Sequence, residues 1–148
     1  MTTATATKET VREAMTTNPA TVTRSDSLHR AANLMVEHDC GSIPVVDGDK
    51  VVGMITDRDI VIRTVAEKQD PSTRSVGDVM STGVTVVRDD ESLSRAFELM
   101  SSKKVRRLPV VDSGDKLVGI LAQADMALDS SQDQQLASTV ERISTPGR

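Results

Sequence analysis

The chain has 148 residues, a net charge of −4 and a pI near 5.2. Its length allows one domain or two small, mutually dependent halves, and its acidity argues against nucleic-acid binding, which needs clustered Lys and Arg. No apolar run reaches the ~18 residues of a membrane span, and the N-terminus lacks the regions of a signal peptide. The single cysteine, Cys40, cannot form an internal disulfide, so we expect a cytoplasmic protein.

The first third of the sequence alternates short strand and helix patterns. Residues 1–9 are small and polar and are predicted to form a disordered tail. A helical turn over 10–15 and a short strand over 20–23 follow, and Ser25-Asp26-Ser27 then caps a helix that continues to about His38. The apolar stripe of this helix is predicted at Leu28, Ala31, Ala32 and Met35.

A strand-to-helix corner occupies the centre of the first half. The pattern predicts a strand over Ile43–Asp47, a hairpin turn at Gly48-Asp49 and a buried strand that begins at Val51. At Thr56 the pattern changes to a helix start, and Asp59 three residues later completes a capping box. The helix after this corner carries four apolar residues, Ile60, Val61, Val65 and Ala66, before a linker over 70–73.

The whole pattern then repeats at an offset of 65 residues, from Met15 to Met80. The strings IPVVD and LPVVD are its clearest match, and the second copy has one extra residue in its hairpin turn. A twofold repeat predicts two supersecondary units that cover each other's apolar faces. We place the first unit at 10–70, the second at 71–128, and a polar, partly helical tail at 129–148.

The core must be aliphatic, because the chain has no Trp, no Tyr and one Phe. The four methionines at the repeat positions are therefore interpreted as packing residues. Nine positions are predicted to be largely buried: Leu28, Met35, Val45, Val52, Leu93, Phe97, Met100, Val110 and Val118.

The two ends GMITDRD and GILAQAD, with the strands IPVVD and LPVVD, resemble a tandem pair of CBS domains, the Bateman module. The resemblance covers roughly Val11 to Leu128. The chain is similar to stand-alone bacterial proteins of this kind, which include hypoxia-response proteins. The resemblance implies an α/β fold of two pseudo-symmetric β-α-β-β-α units packed through their sheets. It also implies a homodimer and clefts for an adenosine-containing ligand: AMP, ADP, ATP, NAD or S-adenosylmethionine.

The resemblance further implies a main cleft. Asp59 would accept the ribose hydroxyls, Thr56 would bind phosphate, and two arginines would neutralise that phosphate. Three apolar residues would enclose the adenine. The complete set is Met54, Thr56, Arg58, Asp59, Val84, Arg106, Arg107 and Leu108.

A second cleft departs from the family pattern. Ala122 stands where Ser or Thr is expected, and Ser42 stands where the other half has Arg107. A phosphate would lose a hydroxyl and a guanidinium there, so we expect this cleft to be weak, empty or suited to a less charged ligand. Its residues would be Ala20, Thr21, Ser42, Ile43, Ile120 and Asp125.

Simpler interpretations remain open at the same residues. Thr56 and Asp59 can serve only as a helix cap, and Arg106 and Arg107 can be solvated edge charges. The free N–H groups after Thr56 would suit an anion in either case.

The sequence favours a regulator over an enzyme. His29 and His38 fall on opposite faces of a helix, which disfavours zinc, and Cys40 lacks a convincing base. We therefore expect no catalytic residues, no metal and no required cofactor. The favoured function is an adenine-nucleotide sensor that modulates an unidentified protein or its own dimer; the alternative is a ligand-free dimeric interaction or stress-response protein.

Overall fold

The computed structural model describes residues 8–126. Residues 1–7 of the predicted N-terminal tail (1–9) and the whole predicted C-terminal tail (129–148) lie outside the described residues. The described chain forms two compact units. The continuous unit is Pro19–Val84, and the split unit combines the residues up to Asn18 with those from Thr85 onwards.

The continuous unit contains a β-hairpin flanked by helices. Its elements are α2 (Leu28–Glu37), β2 (Ser42–Asp47), β3 (Lys50–Thr56), α3 (Asp57–Ile60), a π-helical segment (Val61–Val65), a 3-10 turn (Pro71–Thr73) and α4 (Val76–Val79). Ser27 caps α2 as predicted, because its Oγ accepts a hydrogen bond from Arg30 N at 3.0 Å. The hairpin turns at Gly48, whose φ of 65° suits glycine.

The split unit contains a four-stranded sheet in the order β1-β6-β5-β4. Its elements are α1 (Val11–Ala14), β1 (Thr16–Thr17), β4 (Val87–Arg88), α5 (Leu93–Lys103), β5 (Arg107–Val111), β6 (Leu117–Ala122) and a 3-10 turn (Gln123–Met126). Strands β5 and β6 form the second antiparallel hairpin, and β4 pairs with β5 in parallel. Helices and strands thus mix in both units, which confirms the predicted α/β class.

The two sequence repeats exchange their opening segments. Helix α1 begins the first repeat but packs into the core of the split unit, and α4 begins the second repeat but packs into the core of the continuous unit. Thr16 of β1 pairs with Ile120 of β6. At the equivalent position, Ser81 pairs with Met54 through two backbone hydrogen bonds of 2.9 and 2.8 Å. The sequence boundary at residue 70 therefore lies inside a compact unit.

Seven of the nine predicted core residues are buried: Leu28, Met35, Val45, Leu93, Phe97, Met100 and Val110. Val52 and Val118 are only partly buried, although each packs against the core of its own unit. Each lies where the hairpin register shifts, so that each is left without a partner on the neighbouring strand. A β-bulge of this kind turns the extra residue out of the alternation that the pattern assumed.

Two further predictions differ from the structure. Ala32 is exposed on α2, whereas Leu34 is half-buried against the core. The strand predicted over 20–23 is reduced to a bridge between Val22 and Val45. Within residues 8–126, no helix has the length and apolarity needed to cross a membrane.

Candidate functional site

The corner between β3 and α3 has the predicted capping box. Thr56 Oγ1 accepts a hydrogen bond from Asp59 N at 3.0 Å, and Thr56 N donates to Asp59 Oδ2 at 3.2 Å. Both bonds satisfy N–H groups that the start of a helix leaves free. Asp59 is nevertheless only 9% exposed, which is unusual for a carboxylate at a cap.

Two residues outside the predicted set complete the surroundings of Asp59. Ser81 Oγ lies 3.1 Å from Asp59 Oδ1 and 3.2 Å from Oδ2. Arg63 Nη1 lies 3.8 Å from Oδ1 and donates hydrogen bonds to the carbonyls of Val79 and Met80 at 2.8 and 2.9 Å. The buried carboxylate therefore joins the corner to Ser81, and Arg63 joins it to the two residues that precede Ser81.

These two residues differ in how far the sequence could have revealed them. Arg63 follows Asp59 by four positions, a spacing at which opposite charges meet on a helix. Ser81 is 22 positions away, and no local pattern connects it to Asp59. The π-helical segment that contains Arg63 is a rare conformation; Thr64 within it is buried and donates its hydroxyl proton to the Ile60 carbonyl.

The structure places the predicted main-cleft residues in both units. Met54, Thr56, Arg58, Asp59 and Val84 belong to the continuous unit, where Arg58 is exposed and Met54 and Val84 are half-buried. The other three, all in the split unit, are Arg106, Arg107 and Leu108.

Within the split unit, these three residues differ in exposure. Arg106 is exposed and Arg107 is half-buried. Leu108 is almost completely buried among the core residues of that unit. Its side chain is therefore engaged in packing.

The second corner is simpler than the first. Asp125 Oδ2 accepts a hydrogen bond from Ala122 N at 2.8 Å, and the alanine offers no hydroxyl in return. Gln123 N donates to the Arg106 carbonyl at 2.8 Å. The turn that follows is a 3-10 helix rather than an α-helix.

The other residues predicted for the weaker cleft also lie in both units. Ala20, Thr21 and Ser42 are half-buried in the continuous unit. Ile43 is buried in the same unit, and Ile120 is buried in the split unit.

Positive charge is concentrated in the second copy of the repeat. Residues 103–107 read Lys-Lys-Val-Arg-Arg, whereas the equivalent residues 38–42 read His-Asp-Cys-Gly-Ser. Lys103, Lys104 and Arg106 are exposed, and Arg107 is half-buried. An anionic ligand would thus meet very different charges at the two equivalent loops.

The lowered carboxyl pKa values belong to aspartates in turns and caps. Hydrogen bonds from Ser72 lower the pKa of Asp70, and the backbone N–H of Ser75 lowers the pKa of Asp78. Over residues 8–126, His, Cys, Asp and Glu form no group of three or more that could hold a metal ion.

Comparisons with known proteins agree with the repeat. The family model for the CBS domain matches residues 11–64 and 76–128. The CBS domain-containing protein YhcV of Bacillus subtilis is 41% identical over 134 residues, which cover 90% of this chain and 94% of that protein. Hypoxic response protein 1 of Mycobacterium tuberculosis is 38% identical over 119 residues, covering 80% and 82% of the two chains.

Three solved structures are similar over 80–84% of the chain. Hypoxic Response Protein I, solved with two coordinated zinc ions, has a TM-score of 0.73 and 37% identity over 80% of this chain and 97% of its own. CBSX2 in complex with AMP has a TM-score of 0.71 and 34% identity, covering 84% and 98%; CBSX2 comes from Arabidopsis thaliana. The CBS pair of MJ0100, in complex with methylthioadenosine and S-adenosylmethionine, has a TM-score of 0.71 and 26% identity, covering 80% and 97%. From the double match to the family model and the similarity to these proteins, we conclude that the chain belongs to the CBS domain family.

Proposed function

We propose that the chain is a regulatory module that binds an adenosine-containing nucleotide at the corner formed by Thr56 and Asp59. CBS-pair proteins are regulatory, and similar pairs bind AMP, methylthioadenosine or S-adenosylmethionine. The observation that carries the proposal is the buried Asp59 carboxylate in α3, just after the end of β3. A buried carboxylate is costly unless donors satisfy it. Thr56 N and Ser81 Oγ are its donors in the protein itself, and a ligand's hydroxyl groups suit the same carboxylate.

The chemistry of the corner suits a ribose followed by a phosphate. An ionised carboxylate accepts several hydrogen bonds and can take both hydroxyls of a ribose. The Thr56 hydroxyl and the exposed Arg58 offer donors to phosphate oxygens. We extend to Arg106 and Arg107 the phosphate-neutralising role that the family resemblance implies, since guanidinium groups bind phosphate through paired donors.

Calorimetric titration with AMP, ADP, ATP, NAD and S-adenosylmethionine tests this proposal. We expect one dominant site, which is lost in Asp59→Ala and is weakened at least tenfold for phosphorylated ligands in Arg107→Ala. Asp125→Ala is the matched control, because it removes the equivalent carboxylate from the simpler corner. Absence of binding at millimolar concentration, or equal losses at Asp59 and Asp125, would contradict the proposal.

We further propose that the chain forms a homodimer through a helical face of the continuous unit. Val36 is 81% exposed on α2, and Val65 is 62% exposed in the π-helical segment beside exposed Val61 and Ile62. Several large apolar side chains left in water on one small unit favour burial against another protein surface. Sedimentation of the parent and of Val65→Asp tests this: the parent should be dimeric and the variant should shift toward monomer.

The exposed apolar residues also support the alternative function, a ligand-free dimeric interaction or stress-response protein. Thermal melting separates the two functions, because a ligand at 100 times its dissociation constant adds about 2.7 kcal/mol of stability. A nucleotide-dependent rise in melting temperature supports the sensor. An unchanged melting temperature with every nucleotide supports the alternative.

A further inference from the structure

The Asp59 carboxylate already has donors on both of its oxygens. Ser81 Oγ lies 3.1 Å from Oδ1 and 3.2 Å from Oδ2, so its single hydroxyl proton bridges the two oxygens. Thr56 N donates to Oδ2 at 3.2 Å. Arg63 Nη1 lies 3.8 Å from Oδ1 and adds positive charge. Ser81 therefore occupies the bridging position on the carboxylate.

A vicinal diol needs that same position. Its two adjacent hydroxyls bind a carboxylate by donating one hydrogen bond to each oxygen, across the pair that Ser81 bridges. A carboxylate has about four acceptor sites in all, and the backbone of Thr56 already uses one. A ligand with one hydroxyl can use a remaining site beside Ser81, whereas a diol cannot bridge both oxygens without displacing the serine hydroxyl.

We propose that the Ser81 hydroxyl competes with the 2′,3′-diol of a bound nucleotide for Asp59. This inference rests on the proposed function and adds a residue that weakens binding of ribonucleotides. The competition needs no backbone movement, because Ser81 N and O remain paired with Met54. Arg63 also holds the carbonyls of Val79 and Met80 in place. Rotation of the Ser81 side chain about its Cα–Cβ bond is enough to move the hydroxyl away and release the carboxylate.

The second corner has no such competitor. Thr16 stands at the position equivalent to Ser81 and is exposed. Among the hydrogen bonds of residues 8–126, Asp125 accepts one from Ala122 N and none from a hydroxyl. The competition is therefore specific to Asp59, and Thr16 provides a matched control.

Titration with AMP and 2′-deoxy-AMP tests the competition. Ser81→Ala should bind AMP about tenfold more tightly than the parent, because removing the serine frees a hydrogen-bonding position on a charged group. The gain for 2′-deoxy-AMP should be smaller, since its single hydroxyl need not displace Ser81. Ser81→Thr keeps a hydroxyl and should behave like the parent, and Thr16→Ala should leave both affinities unchanged.

The outcomes separate this inference from the function on which it rests. If the parent binds AMP and Ser81→Ala binds it equally or more weakly, the serine orients Asp59 for the ligand and the competition is wrong, although the sensor function stands. If neither protein binds AMP, the competition is overturned, and the sensor function is overturned as well when ADP, ATP, NAD and S-adenosylmethionine also fail to bind. Should Ser81→Ala lose its cooperative thermal transition, Ser81→Cys replaces it, because a thiol is similar in size and a weak donor; the same tighter binding is expected.

Discussion

Replacing Phe97 with alanine tests the packing of the split unit. Phe97 is the only aromatic residue of the chain and is 2% exposed within a core of aliphatic side chains that includes Leu93, Met100 and Leu108. Truncating a buried phenylalanine removes its transfer free energy and leaves a cavity, at a cost of about 3–5 kcal/mol. Domains are stable by about 5–15 kcal/mol in total, so the variant should lose a large part of its stability.

Urea denaturation followed by far-ultraviolet circular dichroism measures this loss, because the absence of Trp and Tyr leaves little intrinsic fluorescence. The exposed Ser94 of the same helix supplies a control: Ser94→Ala should stay within about 0.5 kcal/mol of the parent. A loss below about 1 kcal/mol for Phe97→Ala would show that the helix presents a different face to the core and would refute the assignment.

Three further predictions concern the backbone and pH. Lys104, the residue at which α5 ends, has a φ of 54°, a left-handed conformation that strains a residue with a Cβ. Lys104→Gly should therefore raise the free energy of unfolding in urea by about 0.5–1 kcal/mol, and a decrease would contradict the presence of this strain. A Cβ on Gly53 would lie 2.8 Å from the Ser81 carbonyl oxygen, so Gly53→Ala should cost about 1–3 kcal/mol, whereas Gly114→Ala, with its nearest atom at 3.4 Å, should not be destabilising. Backbone N–H groups of Lys116 and Gly114 lower the pKa of Asp112. The stability from this carboxylate is therefore present above about pH 4 and lost as the pH falls through the folded-state pKa. The free energy of unfolding in urea should be higher for the parent than for Asp112→Asn at pH 7, and this difference should shrink toward pH 3. A difference that stays constant with pH would contradict a stabilising role of the ionised carboxylate.

The sequence predicts those features whose cause is local. The capping box at Thr56 and Asp59 depends on two residues three positions apart, and the hairpin turn at Gly48 depends on one conformationally free residue. The repeat placed the second hairpin correctly because the same local signals recur. The resemblance to CBS domains then supplied the family, which the comparisons confirm.

The features that the sequence did not reveal depend on contacts between distant residues. The bulges at Val52 and Val118 arise from how each strand aligns with its neighbour, which the alternation within one strand does not record. The bond from Ser81 to Asp59 and the pairing of Thr16 with Ile120 likewise join segments with no shared pattern. The exchange of α1 and α4 between the repeats follows from these pairings.

That exchange sets an order of events while the chain is being made. The continuous unit has all its elements as soon as Val84 leaves the ribosome, and domains generally fold as units in the order of synthesis. Helix α1 emerges earlier, yet β6, with which its neighbouring strand β1 pairs, ends only at Ala122. Helix α1 must therefore wait, without this neighbouring pairing, until β6 has been synthesised.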